Sequence, residues 1–217
     1  MANAEGNWLL TAVAAAALAA APVYAVHAAY DWSDERIAAN ERARIVARLN
    51  SVLEPALRGR DLTTTRLAVT DEEHLGSDEP VDVFVLTDRG APMATVFATV
   101  APHGYNASID LLVGVAPIGT VTGVRAVRHR ETQGLGDAID IAKSDWMLQF
   151  DSKALTAPAP ELWAIEQDEG EFDAISGATV TSRAIVTAVK NTLLYFEAHR
   201  DELYTHAAEA AVATSER

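Results

Sequence analysis

The chain has 217 residues, 49% of them hydrophobic and 22% charged, which suits one medium domain with an appendage and argues against wholesale disorder. It has no cysteine, so a disulfide framework, thiolate-held zinc, protein-held iron–sulfur clusters and thiol nucleophiles are excluded. Seventeen Lys and Arg against 31 Asp and Glu leave a formal charge of −14, and aromatics are only 6%, so neither phosphate-backbone attraction nor a base-stacking platform is on offer and nucleic acid is not an expected partner.

From Asn7 to Tyr30 there is no Asp, Glu, Lys or Arg. About 20 apolar residues at about 1.5 Å each span a hydrocarbon core of about 30 Å. Trp8 at one end, with Tyr24, Tyr30 and Trp32 at the other, suits the two membrane interfaces. Residues 1–30 are therefore read as an uncleaved membrane anchor. A secretory signal cut near Val26-His27-Ala28 and a buried alanine-rich helix stay open, although Met1–Asn7 carries Glu5 and no basic residue. Arg36, Arg42, Arg44 and Arg48 follow the span, and the positive-inside rule alone sets the following domain on the cytoplasmic side.

Ser33–Leu53 reads as a helix, with Ile37, Ile45, Leu49, Val52 and Leu53 as a partial apolar stripe and Pro55 as its stop. It forms a stalk over residues 31–55, ahead of a domain over 56–205. Val81, Val83 and Val85 alternate along a strand that turns at Thr87-Asp88-Arg89-Gly90 into a second strand, Met93–Ala101. Ser108–Val115 and Thr120–His129 form a further hairpin across Pro117-Ile118-Gly119. Leu155–Glu161 is a loop, Leu162–Ile165 a short strand and Glu166–Asp173 an acidic turn. Ile185, Val186, Val189, Leu193 and Phe196 define an amphipathic helix over Ile185–Phe196, and residues 206–217 are expected to fray. The fold class is α+β: a single N-terminal transmembrane helix and helical stalk, then a domain with an antiparallel sheet.

Two stretches could carry chemistry. Asp173-Ala174-Ile175-Ser176-Gly177-Ala178-Thr179-Val180-Thr181-Ser182 precedes the amphipathic helix. Gly177 permits a tight backbone, and a helix N-terminus offers free N–H groups and the positive end of the dipole to a phosphate. The hydroxyls of Ser176, Thr179, Thr181 and Ser182 lie within reach, to hold a phosphate or be esterified to it. The residues alone fit an ordinary helix cap as well. Glu131-Thr132-Gln133-Gly134-Leu135-Gly136-Asp137 is an irregular loop able to wall a planar ligand, or simply a turn. No His pair has zinc-ligand spacing, and neither a nucleophile elbow nor a nucleotide-binding P-loop occurs.

Together these stretches resemble a known family. Asp173-x-x-Ser176-Gly177-Ala178-Thr179 is similar to the flavinylation motif of FMN-binding domains. With Ile37–Arg42, Gly104-Tyr105-Asn106, Leu111–Val115, Gly123-Val124-Arg125, His129–Asp137 and Lys143–Trp146 in order, the chain resembles the G-subunit family of Rnf-type ion-translocating electron-transport complexes over residues 8–200. It departs from that family at Gln133, where proline is usual, and in the missing basic residues before the anchor. The C subunits of sodium-pumping quinone reductases share the threonine motif but usually carry Gly-Leu-Trp at 104–106 and lack the aspartate at 137.

The resemblance implies FMN joined through a phosphoester to Thr179 by a separate flavin transferase. Ser176, Gly177 and Ala178 would shape the attachment turn, with Thr181 nearby; Glu131, Thr132, Leu135 and Gly136 would form the loop beside the flavin ring. Asp173 would serve transferase recognition or turn formation. No catalytic residue of its own and no metal are implied. The chain would be an electron carrier in a complex that moves electrons between ferredoxin and NAD and couples this to Na⁺ or H⁺ translocation. Its partners would be membrane lipid and the other Rnf subunit types, A, B, C, D and E. It would sit in a bacterial inner membrane by a single pass, with the soluble domain on the periplasmic side. A tethered scaffold that is never flavinylated, and a stand-alone flavin reductase, are the readings from other classes.

Overall fold

The structure is a computed structural model that describes residues 12–13, 43–60 and 63–215. The chain divides into two compact units, Met1–Ala47 and Arg48–Arg217. In the first, residues 12–13 and 43–47 are helical. The expected anchor between Asn7 and Tyr30 and the expected helix from Ser33 to residue 42 otherwise lie outside the described residues. Among the described residues no helix is long and apolar enough to cross a membrane.

Helix α1 covers residues 43–52 and stops just before Pro55, whose ring cannot continue a helix. Five strands follow in chain order: β1 (Thr63–Asp71), β2 (Ser77–Asp88), β3 (Ala91–Ala101), β4 (Ile109–Val115) and β5 (Val121–Arg128). Each pairs antiparallel with the next, giving a simple meander. A one-turn helix α2 (Glu72–Leu75) interrupts β1 and β2; Asp71 caps it by accepting the His74 N–H at 2.8 Å. The β2–β3 turn is made by Arg89 and Gly90, both at positive φ, the geometry whose twist suits a two-residue hairpin. The β4–β5 hairpin closes where expected, Gly119 donating to the Ala116 carbonyl at 2.9 Å.

The sheet is covered on both faces, which is why β4 reads as the nearly unbroken apolar run Ile-Asp-Leu-Leu-Val-Gly-Val. On one face Val83, Phe97, Leu111, Val113 and Val124 pack with Ile185, Val189 and Phe196 of the long helix α3 (Thr179–Ser215). On the other, Leu49, Val52, Leu53 and Leu57 pack with Phe84, Leu86, Val96 and Leu112. There the chain comes unusually close. Gly114 and Gly123 are register partners, and a Cβ on Gly114 would stand 2.5 Å from the Val52 carbonyl oxygen. Thr122 Oγ1 donates to that same oxygen at 2.6 Å.

Residues 129–178 carry short 3-10 turns at Gly136–Ile139, Trp146–Phe150, Pro160–Leu162 and Glu166–Asp168. They close over an aromatic cluster in which Phe150 stacks on Phe172 at 5.1 Å and Trp163 lies against Phe172 at 4.8 Å.

One strand is added and three expectations change. β1 was not anticipated, because its inward residues Thr65, Leu67 and Val69 are only half-buried at a sheet edge. The expected strand Leu162–Ile165 is a 3-10 turn followed by one parallel bridge, Ile165 to Phe172, because Trp163 is turned into the core and donates Nε1–H to the Pro158 carbonyl. The helix expected over Ile185–Phe196 begins at Thr179. It also runs on through Ser215 in place of a frayed end, with Leu203 and Ala207 buried.

Candidate functional site

The two glycine-containing stretches meet at the first turn of α3. Gly177 holds φ +77°, a conformation that glycine adopts without steric cost. The turn it makes brings Ala178 N–H onto the Ile175 carbonyl at 2.9 Å, and Ser182 N–H then closes the first helical hydrogen bond on Ala178 O at 3.0 Å. Among the described residues the amides of Thr179, Val180 and Thr181 are thus the orphan donors of the helix start. Upstream, Asp173 is held from both sides: its N–H donates to Gln149 Oε1 at 2.8 Å, and its carbonyl accepts Trp146 Nε1–H at 2.9 Å.

The four hydroxyls of this stretch have different fates. Ser182 Oγ is buried; it accepts the Ile175 N–H at 2.9 Å and donates to the Ala178 carbonyl at 3.1 Å. Thr181 is fully buried and donates its hydroxyl to Glu131 Oε2. Among the described residues no hydrogen bond engages the hydroxyl of half-buried Thr179 or of exposed Ser176. A hydroxyl tied to a carboxylate or a helical carbonyl is not free to meet a phosphate; Thr179 and Ser176 are.

The second stretch is folded around its own acids. Glu131 is only 6% exposed. Its Oε1 accepts the Asn106 N–H at 3.2 Å, and its own N–H donates to His129 Nδ1 at 3.2 Å. That bond puts the imidazole proton on Nε2, which meets Asp140 Oδ1 at 3.2 Å. Asp137 Oδ1 accepts the Gly134 N–H at 2.8 Å, and its Oδ2 takes the Lys143 ammonium at 2.7 Å. The Lys143 ammonium holds the Asp137 carboxyl below the usual carboxylate range, against its partial desolvation. Asp137, and then Asp140, hold Lys143 above its own usual range. Thr132 and Leu135 are exposed, Leu135 at 46%, while Gly136 is buried against Glu131.

The residues singled out in the sequence therefore form one constellation, with Thr179, Ser176 and Leu135 at its surface and Glu131, Thr181 and Gly136 beneath. Asn106 was not among the expected site residues. Its side-chain amide donates to Arg130 O at 2.9 Å and to Thr132 Oγ1 at 3.2 Å, joining the β3–β4 connection to the loop. The only trace of it in the sequence was its place in the Gly104-Tyr105-Asn106 block. Beside α2 lies a cleft of about 480 Å³ lined by residues such as His74, His103, Val180 and Asn191; it takes in none of Ser176–Thr179 and none of Glu131–Gly136. Among the described residues no group of acids and histidines is arranged to hold a metal ion.

An apolar side chain exposed beside free helix-terminal amides and an unengaged threonine hydroxyl suits a phosphate-bearing planar ring. The family described as FMN-binding domain matches residues 104–194, which takes in both stretches. The chain is similar to the G subunit of the ion-translocating oxidoreductase complex of Pseudoalteromonas atlantica, 38% identical over 176 residues, 81% of this chain and 82% of that one. The protein of the same name from Shewanella loihica is 38% identical over 178 residues, 82% and 84% of the two chains. That of Vibrio cholerae is 38% identical over 175 residues, 81% and 83%.

Proposed function

The chain belongs to the family of G subunits of ion-translocating oxidoreductase complexes, and from that premise we propose that it is a membrane-anchored electron carrier bearing one FMN esterified to Thr179. FMN, when bound, supplies reversible one- and two-electron transfer; the protein supplies attachment, orientation and electrostatics. Thr179 Oγ1 holds the phosphate, and the free amides at the start of α3 stabilise its remaining charge. Ser176, Gly177 and Ala178 form the turn that presents the threonine, and Leu135 offers an apolar wall to the ring.

A separate flavin transferase makes the bond. Thr179 would supply the ester oxygen, and the turn Ser176-Gly177-Ala178 would present it to that enzyme. The reading extends to the whole assembly. Partner subunits of types A, B, C, D and E pass electrons between ferredoxin and NAD and drive Na⁺ or H⁺ across the membrane. The uncharged stretch Asn7–Tyr30 supports a single anchor in a bacterial inner membrane. A covalent tether is most useful on the periplasmic side, where a lost FMN is not readily replaced.

The observation that carries the reading is the division among the hydroxyls: Thr181 and Ser182 are committed to the fold, and Thr179 is unengaged where the helix dipole and free amides converge. The test is intact mass and in-gel fluorescence of the full chain co-produced with a flavin transferase. The parent chain gains the mass of FMN less one water and fluoresces. Thr179→Val, which keeps shape and removes the oxygen, loses both. A fluorescent Thr179→Val protein with the parent's mass increment overturns the assignment.

A further inference from the structure

A phosphodiester at Thr179 would fix where the flavin is attached but not which way its ring faces, because the linking chain is full of rotatable bonds. Orientation has to come from the 131–136 loop, whose residues Thr132 to Leu135 are exposed, so where the loop stands against Thr179 depends on how it is joined to α3. What ties it to the first turn of α3 is a carboxylate. Glu131 Oε2 accepts the Thr181 hydroxyl from 50 residues away, and Oε1 accepts the Asn106 N–H at 3.2 Å. Gly136 leaves the room for this: a Cβ there would stand 3.0 Å from both Glu131 Cβ and Oε2 and 3.3 Å from Thr181 Oγ1. Both oxygens of Glu131 are used by the protein, and Thr181 is 0% exposed. Neither side chain is available to touch a ring.

We infer that Glu131 is a positioning residue: its carboxylate locks the loop to the first turn of α3, so that Leu135 stands at a fixed place beside Thr179 and the tethered ring is held in one orientation. The inference rests on the Thr179 reading. It replaces a flavin-contacting glutamate by a clamp that joins the β3–β4 connection, the loop and the helix, with Thr181 as its other jaw. The negative charge of Glu131 is incidental to that role. A glutamine can accept the Asn106 N–H through Oε1 and donate through Nε2 to Thr181 Oγ1, which leaves the clamp intact.

The test uses the full chain loaded with FMN in vivo and reads the fluorescence anisotropy of the attached flavin, which a purely structural staple would not move. Anisotropy falls in Thr181→Val and in Glu131→Ala, and the double variant falls no further, because either change opens the same clamp. Glu131→Gln and Thr181→Ser keep the parent's anisotropy; Thr181→Ser also serves as the folding control for the valine variant. A parent chain without flavin is a failure of the Thr179 reading and is seen before any variant is compared. A loaded parent whose anisotropy is unmoved by Thr181→Val overturns the clamp alone. So do additive losses in the double variant.

Discussion

Leu135 lies across Gly177: a Cβ on the glycine would stand 3.1 Å from Leu135 Cδ2. The two motif stretches touch where one has no side chain and the other shows an apolar one. Gly177→Ala therefore meets two obstacles, the positive φ and the leucine. The backbone component alone costs about 1–2 kcal/mol. The variant is expected to show a lower urea midpoint and a smaller flavin-loaded fraction by intact mass. In a Leu135→Ala background the second obstacle is gone, and the loss of stability shrinks to the backbone component.

Ser182 makes the opposite case to Thr179. Its hydroxyl belongs to the turn, accepting the buried Ile175 N–H at 2.9 Å. Ser182→Ala leaves that N–H without an acceptor, at a cost of about 1–3 kcal/mol. Chemical denaturation is expected to show this loss while intact mass still shows one flavin. An unflavinylated Ser182→Ala protein of undiminished stability contradicts the division of labour among the hydroxyls.

On the far face of the sheet, Gly114 receives the backbone of Val52. An added Cβ would stand 2.4 Å from Thr122 Oγ1 and 2.5 Å from the Val52 carbonyl oxygen, so either the Thr122 bond or the seating of the end of α1 has to give. Gly114→Ala is expected to destabilise by about 1–3 kcal/mol, the usual range for overpacking. Thr122→Val removes only the hydrogen bond and costs about 1 kcal/mol. Because both changes act on the same contact, the double variant is expected to be less than additive by thermal or urea unfolding.

Strands β3, β4 and β5 were legible because their signal is local: β-branched runs bounded by Arg89-Gly90 and Pro117-Ile118-Gly119. β1 was not, since an edge strand with Arg66 and Ala68 facing solvent has little apolar alternation to read. The start of α3 was missed for a related reason. Ser176 to Ser182 is rich in residues that cap helices, and the tertiary bond of Thr181 to Glu131, with the local bonds of Ser182 to Ile175 and Ala178, draws the last of them inside the helix. In the site, Thr179, Gly177 and Leu135 were read from short motifs, whereas the Glu131–Thr181 bond links residues too far apart in sequence for periodicity or turn chemistry to pair. Asn106 acts through its backbone N–H as much as its side chain, and a backbone donor has no signature in sequence.

The loop's acid stability follows from Lys143. The ammonium holds the Asp137 carboxyl below the usual carboxylate range while Asp137 accepts the Gly134 N–H at 2.8 Å. A carboxyl whose folded pKa is depressed stabilises the fold above its unfolded value of about 4, and that contribution is lost as pH falls through the folded value. Lys143 is correspondingly raised, so the pair stays ionised across the neutral range and its weak point is acid. Lys143→Met removes the main cause of the depression and brings the Asp137 carboxyl back toward the ordinary range. Loop disorder should then set in at a higher pH than in the parent. The Gly134 amide resonance, followed from pH 7 downward, is the direct readout: its titration midpoint moves up in Lys143→Met. An unmoved midpoint would mean that Asp137 owes its ionisation to the backbone donors of the loop and not to the lysine.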